Sequence, residues 1–164
     1  MNILGVIPAR KGSKGIKSKN TKLLNGKPLV SYTIEQALMS NINELVVSTD
    51  CINVKLISKK YGLKVIDRPN ELARDNSPTL PVLQHAISQF SDSYDAVMTL
   101  KPTSPLRKHE HIHESIDLFI KDPIADSLVS VTKAPHNCTP EKIMQMNGNY
   151  LSGNNFLRRR QDIG

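Results

Sequence analysis

The sequence predicts a three-layer α/β domain built on a mainly parallel sheet, and three observations carry that reading. Short apolar runs bounded by turn residues alternate along the chain with segments whose apolar residues recur at helical spacing. The first run, Ile3-Leu4-Gly5-Val6-Ile7, has no polar side chain, as expected of a strand covered on both faces. A long basic loop containing glycine follows it directly, which places that loop at the carboxyl end of a strand, where open parallel sheets bind ligands.

The elements follow in order. Residues 8–28 are polar, basic and interrupted by Gly and Pro, and read as one long loop of the kind that is functional inside a compact domain. After Pro28, the residues Val30, Ile34, Ala37 and Leu38 share one helical face. Residues 44–48 read as a strand, 52–60 as a helix and 63–66 as a strand. Leu80, Leu83, Ile87 and Phe90 mark a helix with Pro78 and Pro81 near its start, where proline is tolerated. Residues 96–100 predict a strand, 109–121 a helix with Ile112, Ile116, Phe119 and Ile120 inward, and 127–131 a fifth strand. Residues 142–151 predict a hairpin with a turn at Asn147-Gly148. The expected division is an α/β core over 1–134 and a hairpin-containing segment over 135–164. The final Arg158-Arg159-Arg160-Gln161-Asp162-Ile163-Gly164 adds no closing element, so the chain is expected to be cut short there.

At 164 residues and 18.3 kDa, with 38% hydrophobic and 23% charged residues, the chain suits one soluble globular domain. Its apolar runs are too short for a membrane span, and Met1 leads straight into a strand rather than a signal peptide. Cys51 and Cys138 lie far apart, which argues against a disulfide framework and for a cytoplasmic setting. Residues 1–34 hold Arg10, Lys11, Lys14, Lys17, Lys19, Lys22 and Lys27 and no acid. The other 15 basic residues balance the 15 acids, so this one segment carries the whole net charge of +7. That asymmetry points to a polyanionic partner.

The loop reads IPARKGSKGIKSKN over residues 7–20. Gly12 and Gly15 let a ligand approach the backbone, whose N–H groups can form an anion-binding concavity. Arg10 can grip a phosphate with two N–H groups, while Lys14 and Lys19 act as mobile point charges. Two familiar phosphate motifs fail. A P-loop would need Gly at Thr21 and Ser or Thr at Pro28, and a dinucleotide fingerprint would need Gly at Lys14. The reading is therefore phosphate binding without a kinase or dehydrogenase.

The same loop resembles the N-terminal signature of the acylneuraminate cytidylyltransferases, the CMP-sialic acid synthetase family. VVSTD at 46–50, RPNELARD at 68–75, KPTSPLR at 101–107 and RRRQDI at 158–163 follow in the family's order, so the resemblance spans essentially the whole chain. It implies a Rossmann-like domain of the nucleotide-diphospho-sugar transferase type. It also implies transfer of CMP from CTP to the anomeric hydroxyl of a nonulosonic (sialic-type) acid, with release of pyrophosphate and Mg²⁺ as cofactor. By motif match, Arg10, Lys14 and Lys19 are the catalytic cations, and Ala9, Gly12, Ser13, Asn20, Arg68 and Asp75 surround the nucleotide. Thr103 and Ser104 shape the sugar pocket, Lys142 reaches the sugar acid from the partner of a homodimer, and Arg160 lies near the substrate. Lys101 stands where the family often has Gln. A cation there could pair with the sugar's carboxylate or change which sugar fits, leaving legionaminic, pseudaminic and eight-carbon acids open. The Asp-x-Asp by which family members hold Mg²⁺ is absent, so the metal ligands stay unassigned.

Three weaker signals point elsewhere, and each has a plainer reading. Asp50 after the second strand reads as a helix N-cap. His109 and His113 share a helical face without a third ligand, which disfavours zinc. Arg158–Arg160 lack interleaved aromatics, which disfavours nucleic acid. A truncated nucleotide-binding paralogue without chemistry is the alternative from outside the enzymes, and no membrane association is expected.

Overall fold

The computed structural model describes residues 1–133, 145–147 and 150–152, and the chain divides into two compact units, 1–126 and 127–164. In the first unit, the strands β1 (Ile3–Pro8), β4 (Glu44–Thr49), β5 (Lys64–Asp67) and β6 (Ala96–Thr99) form one sheet in the order β5-β4-β1-β6. Every pairing in it is parallel, with Val6 beside Val46 on one side and Thr99 on the other. Between β1 and β4 lie a two-stranded hairpin, β2 (Leu23–Leu24) and β3 (Lys27–Pro28), and the helix α1 (Leu29–Leu38). The helices α2 (Ile52–Lys60), α3 (Thr79–Ile87) and α4 (His109–Lys121) complete the unit.

Strand periodicity builds the three layers. Ile3 and Ile7 of β1 and Val47 of β4 join Val30, Ile34 and Ala37 of α1, Val54 of α2, and Ile112 and Ile116 of α4 in one buried cluster. The alternate residues Leu4, Val6 and Val46 face the other way and pack with Ile66 of β5 and Ala86 of α3. Gly5 leaves room for its neighbours on the first face, because a Cβ there would come within 3.0 Å of Leu45 and Ile42.

The structure corrects the sequence reading at several points. The supposed single loop over 8–28 contains a 3-10 turn at Lys19–Thr21 and the β2–β3 hairpin. Asn25 and Gly26, both at positive φ, form its turn, which matches the twist of two short antiparallel strands. On α3 the buried residues are Val82 and Ala86, with the expected Leu83, and Phe90 just after the helix, half-buried against the same cluster, while Leu80 and Ile87 are exposed; two turns of helix present only a narrow stripe to the sheet. Leu38 and Ile120, also expected inward, are exposed, each lying in the last turn of its helix. Residues 127–131 are not a strand: among the described residues no edge pairs with them, and Leu128, Val129 and Val131 are exposed. In the second unit, β7 (Gln145–Asn147) and β8 (Tyr150–Ser152) pair antiparallel, with Asn147 opposite Tyr150 and thus a strand residue rather than a turn residue.

A polar staple ties the hairpin to the helices. Glu35 of α1 receives hydrogen bonds from Lys27 of β3 and from the Tyr61 hydroxyl (2.7 Å) just after α2. Burial alone would raise the Glu35 pKa, but these two hydrogen bonds and the Lys27 charge outweigh it and leave it below 4.5. A carboxyl depressed by folding adds stability above its unfolded pKa and loses it as pH falls through the lower folded value. Both partners of the ion pair are about one-third exposed, so screening limits the contribution. Glu35→Gln should therefore lower stability at pH 7 by about 0.5–1 kcal/mol, or roughly 1–4 °C in Tm. The gap to wild type should close as pH drops below 4.5, checked by thermal unfolding across pH.

Candidate functional site

The chain leaves β1 toward β4 on one side and later returns to β6 on the other, so the strand order reverses between β1 and β6. The crevice at the carboxyl ends of strands at such a reversal is where open α/β sheets bind ligands. A cleft of about 450 Å³ lies there, a volume suited to a small molecule. Its wall is Pro8 and Arg10 at the end of β1, the loop residues Ser13, Lys14, Lys19 and Asn20, Arg68 after β5, and Lys101 to Thr103 after β6. Arg74, Asp75, Ser77 and Thr79 close it from the segment that leads into α3.

The basic loop is anchored to the neighbouring strand. The Ala9 N–H donates to Ser48 O (3.0 Å), and the buried Thr49 hydroxyl donates to Ala9 O while accepting the Cys51 N–H (3.0 Å). The Lys11 N–H donates to Asp50 Oδ1 (2.7 Å). Asp50 is thus a loop anchor and not the expected N-cap of α2, a position held by Cys51 without a side-chain cap. Asn20, itself buried, closes the loop by donating its amide to Arg10 O (2.9 Å). At Gly12 a Cβ would sit 3.2 Å from Arg10 Nη1, so the bare backbone gives the guanidinium its place against the loop.

Charge in the cleft is one-sided. Arg10, Lys14, Lys19, Arg68, Arg74 and Lys101 line it against the single carboxylate of Asp75. Arg68 is buried, donating Nε to Ser48 Oγ (3.2 Å) and Nη2 to Ser48 O (2.7 Å). Burial lowers its pKa, the Asp50 carboxylate works in the opposite direction, and the nearby Arg10 charge lowers it further. An arginine stays charged at neutral pH despite such pressure, so the cleft floor holds two guanidiniums whose repulsion an anionic ligand would relieve. Arg10 Nη2 and Lys14 Nζ (3.1 Å) both bind Asp75.

Arg10, Ser13, Lys14, Lys19, Asn20, Arg68, Asp75, Lys101 and Thr103, all singled out in the sequence, therefore come together in one cleft. Ala9 lies buried beneath it, and Ser104 is exposed beside Thr103 without lining it. Gly12 lines a second crevice of about 460 Å³, with Lys11, Lys17 and Asp50, that shares Ser13 and Arg74 with the first. Lys142 and Arg160 lie outside the described residues. Sequence reasoning missed Arg74, whose signal was its place inside the 68–75 motif, and the anchoring roles of Thr49 and Asp50. It also gave no role to Arg107, which donates Nη2 to Lys101 O (3.1 Å) and so braces the wall after β6. His109 and His113 do share a face, with ring centroids 5.6 Å apart. Among the described residues no group of three metal-ligating side chains occurs, and no helix is long and apolar enough to cross a membrane.

Residues 4–148 match the family model described as cytidylyltransferase. The chain is similar to the N-acylneuraminate cytidylyltransferase of Escherichia coli O18:K1:H7, with 41% identity over 80% of this chain and 32% of that protein. It is equally similar, at 41% identity over 80% of this chain and 58% of the relative, to the CMP-N,N'-diacetyllegionaminic acid synthase of Legionella pneumophila. The chain thus spans about a third of the first relative's length and somewhat over half of the second's. Among solved structures, a CMP:2-keto-3-deoxy-manno-octonic acid synthetase complexed with CTP shares the fold, at a TM-score of 0.65 and 24% identity over 76% of this chain and 49% of that one. A Mycobacterium tuberculosis H37Rv protein solved with manganese shares it at a TM-score of 0.55 and 15% identity, over 73% of this chain and 60% of that one.

Proposed function

The chain belongs to the cytidylyltransferase family, and we propose that it transfers CMP from CTP to the anomeric hydroxyl of a nine-carbon 2-keto sugar acid of the sialic or legionaminic type. The observation that carries the reading is the convergence of Arg10, Lys14, Lys19 and Arg68 on one cleft at the sheet's reversal point. The sugar class draws support from the names of the two 41% identical relatives.

In the reaction the anomeric oxygen attacks the α-phosphorus of CTP, the bond from that phosphorus to the bridging oxygen breaks, and pyrophosphate leaves with its electrons. The hydroxyl proton passes to solvent. Such a transfer needs in-line positioning and neutralisation of the departing charge. Arg10 offers a planar fork for two phosphate oxygens, Lys14 and Lys19 add mobile charge, and Arg68 supplies a fixed cation on the floor. Lys101 and Thr103, braced by Arg107, form the wall we assign to the sugar, with Lys101 facing its carboxylate and Ser104 adjoining.

We assign Mg²⁺ as the cofactor. The cleft's one carboxylate, Asp75, is already bound by Arg10 and Lys14, so the cleft residues offer no carboxylate pair for the ion. Nucleotide phosphate oxygens suit its preference for hard oxygen ligands, and the bound ion would offset charge on the departing pyrophosphate. A homodimer in which residues 135–164 contribute to the interface, with Lys142 and Arg160 reaching substrate, and a cytoplasmic location complete the proposal.

Pyrophosphate release with CTP, Mg²⁺ and a panel of sialic, legionaminic, pseudaminic and eight-carbon acids tests it. Turnover with a nine-carbon acid, at least tenfold above the eight-carbon acid, is the expected result. Preference for the eight-carbon acid would move the assignment within the family, and failure with every sugar would refute it.

A further inference from the structure

We propose that the Asp75 carboxylate is a stand-in for a ligand phosphate, a competitor carried by the chain itself that an incoming polyphosphate must displace from Arg10 and Lys14. The inference rests on reading the cleft as a phosphate site.

Asp75 is the one carboxylate among the residues lining the cleft. It offers Oδ1 to Arg10 Nη2 and Oδ2 to Lys14 Nζ, so its two oxygens serve two different cations, as two oxygens of one phosphate would. Those cations hold its carboxyl below the usual range, Lys14 by hydrogen bonding first and then Arg10. The contact is built to be broken. Lys14 is 81% exposed at its side chain and Asp75 38%, so neither loses much when they part. Releasing Asp75 would not dismantle either wall. The Arg10 backbone stays tied to Asn20, and the segment carrying Asp75 keeps its own bonds, from Ser77 Oγ to Glu71 O (2.8 Å) and from Ser77 N to Arg74 O (3.2 Å).

A ligand that takes both cations binds with its intrinsic affinity less the cost of releasing Asp75. Each exposed ion pair contributes little, so removing the competitor should tighten binding by about two- to fivefold and not by orders of magnitude. This sign separates a competitor from a residue that orients the cations for the ligand, whose loss would weaken binding.

Calorimetric titration of sodium pyrophosphate into wild type, Asp75→Asn and Asp75→Glu tests the idea. Asp75→Asn keeps the shape and removes the charge, and should bind pyrophosphate about two- to fivefold more tightly. Asp75→Glu keeps the charge and should stay within about twofold of wild type. If wild type binds pyrophosphate and Asp75→Asn binds it equally or more weakly, the stand-in role is wrong and the phosphate site stands. If Asp75→Glu tightens as much as Asp75→Asn, charge competition is wrong. Should neither pyrophosphate nor CTP bind any of the three proteins, both the stand-in and the phosphate site are overturned.

Discussion

Replacing Arg10 with alanine should weaken CTP binding by about 1.5–3 kcal/mol, a loss of roughly 10- to 150-fold, the scale of a charge-assisted contact at a partly shielded site. Arg10 leaves β1 at the point where the sheet's order reverses, and its guanidinium lies between the loop backbone at Gly12, Ala73 O (3.4 Å) and Asp75. Its side chain is 28% exposed, so it is screened less than Lys14 at 81%. The fold should tolerate the change. The structural tie at this position is the backbone carbonyl, which receives the Asn20 amide whatever the side chain. Titration calorimetry with CTP, alongside thermal unfolding, separates the two effects. A variant as stable as wild type with unchanged CTP affinity would return the basic loop to an ordinary solvated surface.

The second large effect concerns stability. Thr49→Val should destabilise the protein by about 2–4 kcal/mol, because one hydroxyl serves two backbone groups. Thr49 is fully buried at the end of β4, donating to Ala9 O and accepting the Cys51 N–H. Valine has nearly the same shape, so the core stays filled while a carbonyl and an N–H lose their partner in a place water does not reach. Those two groups flank the exits of β1 and β4, so the loop bearing Arg10 should lose one of its anchors as well. Chemical denaturation measures the loss. Thr49→Ser keeps the hydroxyl and should retain more stability than Thr49→Val despite its smaller volume. The reverse order would mean that packing, and not the hydrogen-bond pair, is what Thr49 supplies.

The main lines of this fold were legible because they obey short-range rules. The β1 run carries no polar side chain and is buried on both faces, and α2 spans the expected 52–60. Where the reading failed, the missing information was tertiary. Residues 127–131 are as apolar as the true strands, yet a strand exists only when an edge accepts it. The stripe of α3 could not be chosen between Leu80–Ile87 and Val82–Ala86 without knowing which face meets the sheet. The Asn25-Gly26 hairpin is different: its turn signal is local, but strands of two residues each are too short for an alternating pattern to set them apart from a loop. Charge asymmetry within residues 1–34 located three of the cleft's cations, Arg10, Lys14 and Lys19, while Arg68, Arg74 and Lys101 join them because a parallel sheet brings the exits of its strands together. A carboxylate before a helix suits capping, and only the folded loop brings the Lys11 N–H within reach of Asp50.

The most direct test of the central claim, a cytidine triphosphate site on the basic loop, is a thermal shift of this chain with Mg²⁺ and each of CTP, UTP, ATP and GTP. A ligand bound only to the folded state raises Tm, and one at about a hundred times its Kd adds roughly 2.7 kcal/mol. The account predicts a rise with CTP well above that with the other three. Equal shifts with all four, or none with any, would contradict it.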